Sequence, residues 1–416
     1  MCLYMLTFTS LTQSEFTDFS QQFSGNNYLQ TKEMAELKKN RNQMVDYIGV
    51  KDNQKIIGAT LITKLKIKMG YYFDIDGGML MDYSSAEVFH CFIEGIEEYV
   101  RKNDGLYVTI SPDIPVCVRY DEEITNLNES VVEKFLSAGF IKKQAQQQLD
   151  NQGNPLWVYK KNVQGLTEQT LVDSYQKSAQ YSIKRAHEFG IQTRKLAYEE
   201  LQEFKKITEE TSQRRQFEDK SLEYYQSVYK SYQEQARFMI AEINIKTYLE
   251  NLKNKQVEIQ KKLETIEEVL SKNPDSRKKN NQKKELLSEL ATYNKRRQEA
   301  EKIAREEKKE LIPLACALFM ICSQEVVYLF SGTLEKYKQF YAPYLIQDEM
   351  LHYTVNRQIP QYNFYGISGN FDGSDGVLKF KESFNGYAEK KIGTFQLITK
   401  PTKYRLYQLL KKIKGT

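Results

Sequence analysis

The apolar positions of this chain follow two rhythms. Between residues 45 and 114, and again between 311 and 368, short runs rich in Val, Ile, Tyr and Phe alternate with stretches of helical period. In the first stretch VDYIGVK and KIIGATLITKLKI, on either side of Asn53, predict a hairpin. GYYFDIDGGML predicts a third strand, Val88 to Val100 an amphipathic helix, and LYVTISPDI the next strand. In the second stretch LIPLACALFMIC and EVVYLFSG predict adjacent strands, Tyr344 to Asn356 a helix, and YNFYGIS the strand after it. Strand, strand, helix, strand thus occurs twice, which predicts an α/β protein built from a duplicated unit.

Between these stretches the period changes. Leu249, Leu252, Gln256, Ile259, Leu263, Ile266 and Leu270 follow steps of three and four, the seam of paired helices. SKNPDS at Ser271–Ser276 breaks the series, which resumes through Leu286, Leu290, Tyr293, Ala300, Ala304 and Leu311. An antiparallel coiled-coil hairpin inserted into the second unit is predicted, each helix of roughly 30 residues and on the order of 45 Å.

Charge sharpens that picture. The chain of 416 residues carries 60 Lys or Arg and 55 Asp or Glu, a net +5. From Lys246 to Glu310 there are 18 basic and 13 acidic residues, so the whole excess sits in the arm. Such a face either solvates the helices or lies along the phosphates of an RNA. The longest apolar run, Leu311 to Cys322, is too short to span a bilayer. The first thirty residues lack the pattern of a signal peptide, so a cytoplasmic protein is expected. Cys2, Cys91, Cys117, Cys316 and Cys322 are scattered and read as buried thiols.

Most site chemistries find no support. The three histidines, His90, His187 and His352, have no metal-ligand spacing, and neither a G-x-S-x-G elbow nor a P-loop is present. No metal or cofactor is expected. The strand order is that of the acyltransferase fold that uses acetyl coenzyme A, but its glycine-rich phosphate cradle is missing; QKIIGA at Gln54–Ala59 has one glycine and lies in a hairpin.

Several segments together resemble the FemABX family of peptidoglycan interpeptide-bridge aminoacyltransferases, on its FemA and MurN side. They are EVVYLFSGT at Glu325–Thr333, YNFYGISGNF at Tyr362–Phe371 and GVLKFKESFNGYAEKKIGTF at Gly376–Phe395. NYLQTKEMAELKK, GGMLMDY, YSIKRAHEFGI and TSQRRQF add to them, so the likeness covers nearly the whole chain. It implies two acyltransferase-like (GNAT-like) units: residues 1–163 as the first, 164–241 with 311–396 as the second, 242–310 as an arm for tRNA, and 397–416 as a helix returning to the first unit. It also implies the reaction: an amine on the stem-peptide branch of lipid II or UDP-MurNAc-pentapeptide attacks the ester of aminoacyl-tRNA. Ester to amide is downhill, so neither ATP nor a metal is required. Alanine is the expected residue, with serine and glycine open, and extension of an existing branch is the expected step.

The resemblance carries over four residues. Lys381 falls at the family's Phe-Lys position near the tRNA 3′ end, where a cation can hold phosphate or stabilise an oxyanion. Lys38, with Lys39 beside it, matches a lysine at the precursor diphosphate, and Arg214, with Arg215 as an equal candidate, matches a second phosphate contact. Tyr328 is a further substrate-side candidate. Each has a plainer alternative: a strand-end surface lysine for Lys381, solvated helix faces for Lys38 and Arg214, and strand packing for Tyr328. The family's Asp-Pro is replaced by Ser111-Pro112. A protein base is then either absent or supplied by Asp113. The terminal helix Tyr404–Lys414 is amphipathic and basic, suited to docking on the first unit or to peripheral contact with anionic lipid. Two other functions fit the pattern less well: a non-catalytic RNA-binding scaffold and an ordinary N-acetyltransferase.

Overall fold

The computed structural model describes residues 6–145, 149–150, 153–307 and 309–413; Cys2 and Lys414 lie outside these. In each of two mixed sheets an antiparallel ladder is followed by a parallel pair joined through a helix. In the first sheet Leu6–Ser10, Met44–Asp52, Lys55–Ile67 and Gly70–Gly77 run antiparallel, and Gly70–Gly77 pairs in parallel with Gly105–Pro112. The helix Ala86–Lys102 makes the crossover that a parallel pair requires. Ser85 caps its start, Phe89, Phe92, Ile93, Ile96 and Val100 form its inner stripe, and Asp104 at φ +57° follows its end. Gly95 lets it lie flat on the sheet, since a Cβ there would sit 2.1 Å from the Phe8 ring.

The second sheet repeats the plan with Ile191–Lys195, Ala236–Asn244, Leu311–Ile321 and Glu325–Thr333, the last parallel to Gln361–Ile367 across the helix Ala342–Asn356. The fold is therefore α/β with two duplicated acyltransferase-like units. The sheets do not divide at residue 163. Pro115–Tyr120, Glu123–Asn126 and Trp157–Asn162 pair into the second sheet, while Phe395–Ile398 pairs with Gly105–Pro112 in the first. An alternating pattern marks a strand but not its neighbour, so this exchange was not visible in the sequence. Phe395 enters the first core, stacked on Phe135 at 4.4 Å.

The arm consists of Ile245–Lys272 and Arg277–Glu306 folded back on one another. Leu252, Ile259, Leu263, Ile266 and Ala300 bury their side chains, and Gln256 meets Asn294 and Arg297 across the pair. Leu311 does not continue this seam: the helix ends at Glu306 and Leu311, exposed, opens a strand. Its apolar character belongs to the sheet, where it registers with Asn244. The C-terminal helix Pro401–Ile413 rests on the first sheet through Tyr404, edge-on to Tyr107 at 5.3 Å, and leaves Leu406 and Leu409 exposed. No helix among the described residues is long and apolar enough to cross a membrane.

Candidate active site

Two neighbouring features concentrate polar groups between the sheets. The first is a narrow cleft at the C-terminal ends of Gly70–Gly77 and Gly105–Pro112, lined by Tyr28, Asp76, Ser111, Asp113, Asn154 and Tyr365, among others. In an α/β sheet these ends are where ligands sit. Gly77 at φ +83° forms its floor; a Cβ would meet Asn27 Oδ1 at 2.5 Å, and its carbonyl accepts from Asn27 Nδ2 at 3.2 Å.

Asp74 and Asp76 are two apart on one strand, so their carboxyls share a face. Thr109 Oγ1 donates to Asp74 at 2.7 Å, and Asn154 Nδ2 donates to Asp76 at 3.0 Å. Burial raises the Asp76 pKa and the Asp74 charge raises it further, while Lys38 pulls it down; the outcome is about 8. A carboxyl in that range can exchange a proton with an amine near neutral pH. Lys38 Nζ itself donates to Thr63 Oγ1 at 2.9 Å. At the far side Asp113 pairs closely with Lys391, which also meets Glu389 at 3.0 Å. Lys160 continues the chain, 3.1 Å from Glu389. Burial opposes the Lys391 charge, but Asp113, Glu389 and Glu325 hold its pKa well above the ordinary value. Asp113 is thus engaged in an ion pair with Lys391. Ser111 Oγ shares a 2.8 Å hydrogen bond with Thr394 Oγ1.

The second feature is a split in the second sheet. Its parallel strands pair only at Glu325–Gln361, Val326–Tyr362 and Val327–Asn363, then part. Opposite them the ladder to Trp157–Asn162 slips by one residue, leaving Phe364 as a bulge and Tyr365 at φ +64°. That left-handed turn aims two carbonyls at Lys381, whose Nζ donates to Tyr365 O at 3.2 Å and Gly366 O at 2.5 Å. Lys381 lies on the short helix Gly376–Glu382, capped by Asp375, and is 4% exposed. It is therefore not a strand-end surface lysine. Burial lowers its pKa to about 7, with Asp375 opposing and Arg215 assisting. Among the described residues these carbonyls engage two of the three ammonium hydrogens, which leaves one to donate to an oxygen gaining negative charge.

Tyr365 joins the two features. Its carbonyl holds Lys381, while its hydroxyl lies 3.4 Å from the Tyr28 hydroxyl and donates to Asn154 Oδ1 at 3.3 Å, the same amide that holds Asp76.

The structure gathers the sequence candidates unevenly. Asp113 lines the cleft and Lys381 belongs to the split, whereas Lys38 stands outside the cleft lining, held on Thr63, with its charge reaching Asp76. Tyr328 stands on the splayed strand Glu325–Thr333, stacked on Phe319 at 5.4 Å, with its hydroxyl raised by burial to about 12. Arg214 turns aside to Thr333 O and Glu335, both at 3.2 Å. It is Arg215 whose charge reaches Lys381 and Tyr328. Asp76 and Tyr365 were missed. The doubled acid of FDID pointed to the first; nothing in YNFYGIS marks the bulge.

Two α/β units, one with an acid-lined cleft and the other with an opened strand pair over a buried lysine, define a two-unit acyltransferase. The profile of the FemAB family matches residues 11–412, and the chain belongs to that family. It is 30% identical over 418 residues to aminoacyltransferase FemA of Staphylococcus aureus strain MRSA252, spanning 98% of this chain and 99% of that one. To aminoacyltransferase FemA of Staphylococcus epidermidis strain RP62A it is 29% identical over 418 residues, spanning 98% and 100%. The crystal structure of FemX superposes with a TM-score of 0.76 over 96% of this chain and 99% of that one, at 19% identity, a likeness of fold.

Proposed function

We propose that this protein transfers an alanyl group from alanyl-tRNA to a free amine on the stem-peptide lysine branch of a peptidoglycan precursor, lipid II or UDP-MurNAc-pentapeptide, lengthening a branch already begun. The observation that carries this reading is Tyr365, which sets a proton-accepting carboxyl and a buried ammonium on either side of one side chain. The acceptor occupies the first cleft, with Lys38 toward its diphosphate and its ammonium beside Asp76. An arriving cation favours the ionised carboxylate, which then takes the ammonium proton. The freed amine attacks the ester carbonyl held in the split, and Lys381 donates to the oxyanion. The C–O bond then breaks, the ribose oxygen is protonated, and an amide remains. Ser111 is outside this path, tied to Thr394.

The test is transfer from radiolabelled alanyl-tRNA to lysine-stem precursors with and without one residue on the branch. Product on the extended acceptor alone is expected. Product on the bare stem makes this a first-step enzyme, and silence with alanyl-, seryl- and glycyl-tRNA favours a scaffold. A melting temperature raised by coenzyme A would favour an N-acetyltransferase. A peripheral membrane contact is supported by Leu406 and Leu409, 48% and 57% exposed beside Lys403, Arg405, Lys411 and Lys412. Salt-sensitive binding to anionic vesicles, lost in Leu406→Ser/Leu409→Ser, is expected.

A further inference from the structure

A separate cavity lies at the root of the arm, between the helix Lys177–Glu188, the arm and the segment that leads into Ala342–Asn356. Two guanidiniums converge there on one ring: Arg185 lies 4.9 Å and Arg296 5.6 Å from the centroid of Phe189. Arg185 has one nitrogen on Glu188, while its Nη2 is buried with no hydrogen-bond partner. Arg296 has no carboxylate partner among the described residues. Glu299 stands on the same wall and Glu188 pairs with Arg185, so what the cavity offers a ligand is the orphan Arg185 Nη2 and the Arg296 guanidinium rather than an excess of charge.

Both arginines are costly where they stand. Arg296 turns off the arm seam, whose position between Tyr293 and Ala300 is held by Arg297, and half-buries its guanidinium against Phe189, while the orphan Arg185 nitrogen forfeits its hydration. The connection 334–341 between strand and helix contains no glycine, so cationic side chains replace a backbone cradle. The ligand such a site suits is a phosphodiester.

Aromatic rings continue from it. Tyr181, 56% exposed, is 6.3 Å from Tyr341; Tyr341 is 6.3 Å from Tyr344; and Tyr344 is 4.8 Å from Phe380, the residue before Lys381. Phosphate-binding arginines followed by stepped rings are how proteins hold single-stranded nucleic acid without reading its sequence.

We propose that the arm-root cavity binds the backbone of the single-stranded 3′ end of an RNA, and that the ring path Tyr181, Tyr341, Tyr344, Phe380 leads its last nucleotides to Lys381. This rests on the reading of an aminoacyl-tRNA as donor. It places the decisive RNA contact at the root of the arm rather than along its length.

Binding of a labelled RNA duplex with a single-stranded 3′ CCA tail is compared with that of the same duplex made blunt. Wild-type protein is expected to prefer the tailed RNA by at least about tenfold. Arg185→Gln/Arg296→Gln loses that preference, keeps its blunt-duplex affinity, and lowers the log–log salt slope for tailed RNA by about 1.4, the value for two single-strand phosphates. Tyr181→Ala, at an exposed position, weakens the tailed RNA alone and decides the matter if the double variant melts early. No tail preference in wild type, or one that survives these changes, overturns the proposal. Alanyl transfer by wild type is read separately: tail binding without transfer keeps the RNA site and removes the donor reading.

Discussion

The two units run the same topology to different ends. In the first, the parallel strands stay paired from Tyr71–Gly105 to Gly77–Pro112, and Phe395–Ile398 locks the outer one by registering Phe395 with Ile110. In the second they separate after Val327–Asn363, because the bulge at Phe364 swings the strand toward Trp157–Asn162. A closed pair offers its ends and so builds a cleft for a ligand lying across the sheet. An opened pair offers its middle, a slot into which a thin activated group can enter. On the proposed reading each reactant then has its own wall, and Tyr365 stands between cleft and split.

Removing the cation from the slot is expected to have the largest effect. Lys381→Met should lower single-turnover transfer by about 10³-fold, the scale of losing a principal oxyanion donor. A rate within threefold of wild type would reduce Lys381 to a packing residue. The same substitution has a signature in stability. With a folded pKa of about 7 against an ordinary 10.5, the unfolded chain binds the extra proton between those values. Wild-type stability therefore rises with pH across that window, by at most about 1.4 kcal/mol per unit, and Lys381→Met should flatten the rise in denaturant titrations.

The cleft carboxyl behaves in the opposite sense. Asp76→Asn is expected to cost about 10²-fold in transfer at neutral pH, the lower range for a general base, with the loss easing as alkaline solution deprotonates the acceptor itself. Asp76 has a folded pKa of about 8 against an ordinary 3.8, so the folded chain binds the extra proton between them. Its contribution to stability is complete below that window and is lost as pH rises to about 8. Near pH 7 to 8 the two sites pull stability in opposite directions, and the single variants separate them. Equal slopes in Asp76→Asn and wild type would show that the carboxyl is not enclosed as described.

Tyr365→Phe tests the join itself. It removes contacts to Tyr28 and Asn154 while leaving the carbonyl on Lys381, so an effect of about fivefold on transfer is expected, the worth of roughly 1 kcal/mol. A loss as large as that of Asp76→Asn would instead make the hydroxyl part of the proton path.

Much of this was legible before the fold. Repeated strand and helix patterns gave the duplicated units, and the three-four rhythm gave the arm, because both follow from burial of one face. Lys381 was reached through its motif, but its burial was not, since a short helix and a bulge set it among carbonyls. The strand exchange and Tyr365 at φ +64° were hidden because each depends on a neighbour distant in the chain. Arg296 left no trace of its own, because the polar position of the seam between Tyr293 and Ala300 is Arg297, which meets Gln256.

The smallest expected effect concerns the distal arm. The helices run antiparallel, with Glu267 meeting Lys283 and Gln256 meeting Asn294, which places Glu264 opposite Leu286. Replacing residues 264–286 with a short Gly/Ser turn should therefore preserve the root, including Phe189, Tyr248 and Arg296. The described ion pairs of the outer arm join helix residues to one another, as in Lys262–Glu258 and Lys283–Glu267, so this part is largely a solvated face. The shortened protein should keep its preference for tailed over blunt RNA and its transfer rate from saturating donor, with only a modest loss of affinity for the duplex. Loss of the tail preference on shortening would move the RNA contact outward along the arm and leave the arginines at the root as packing alone.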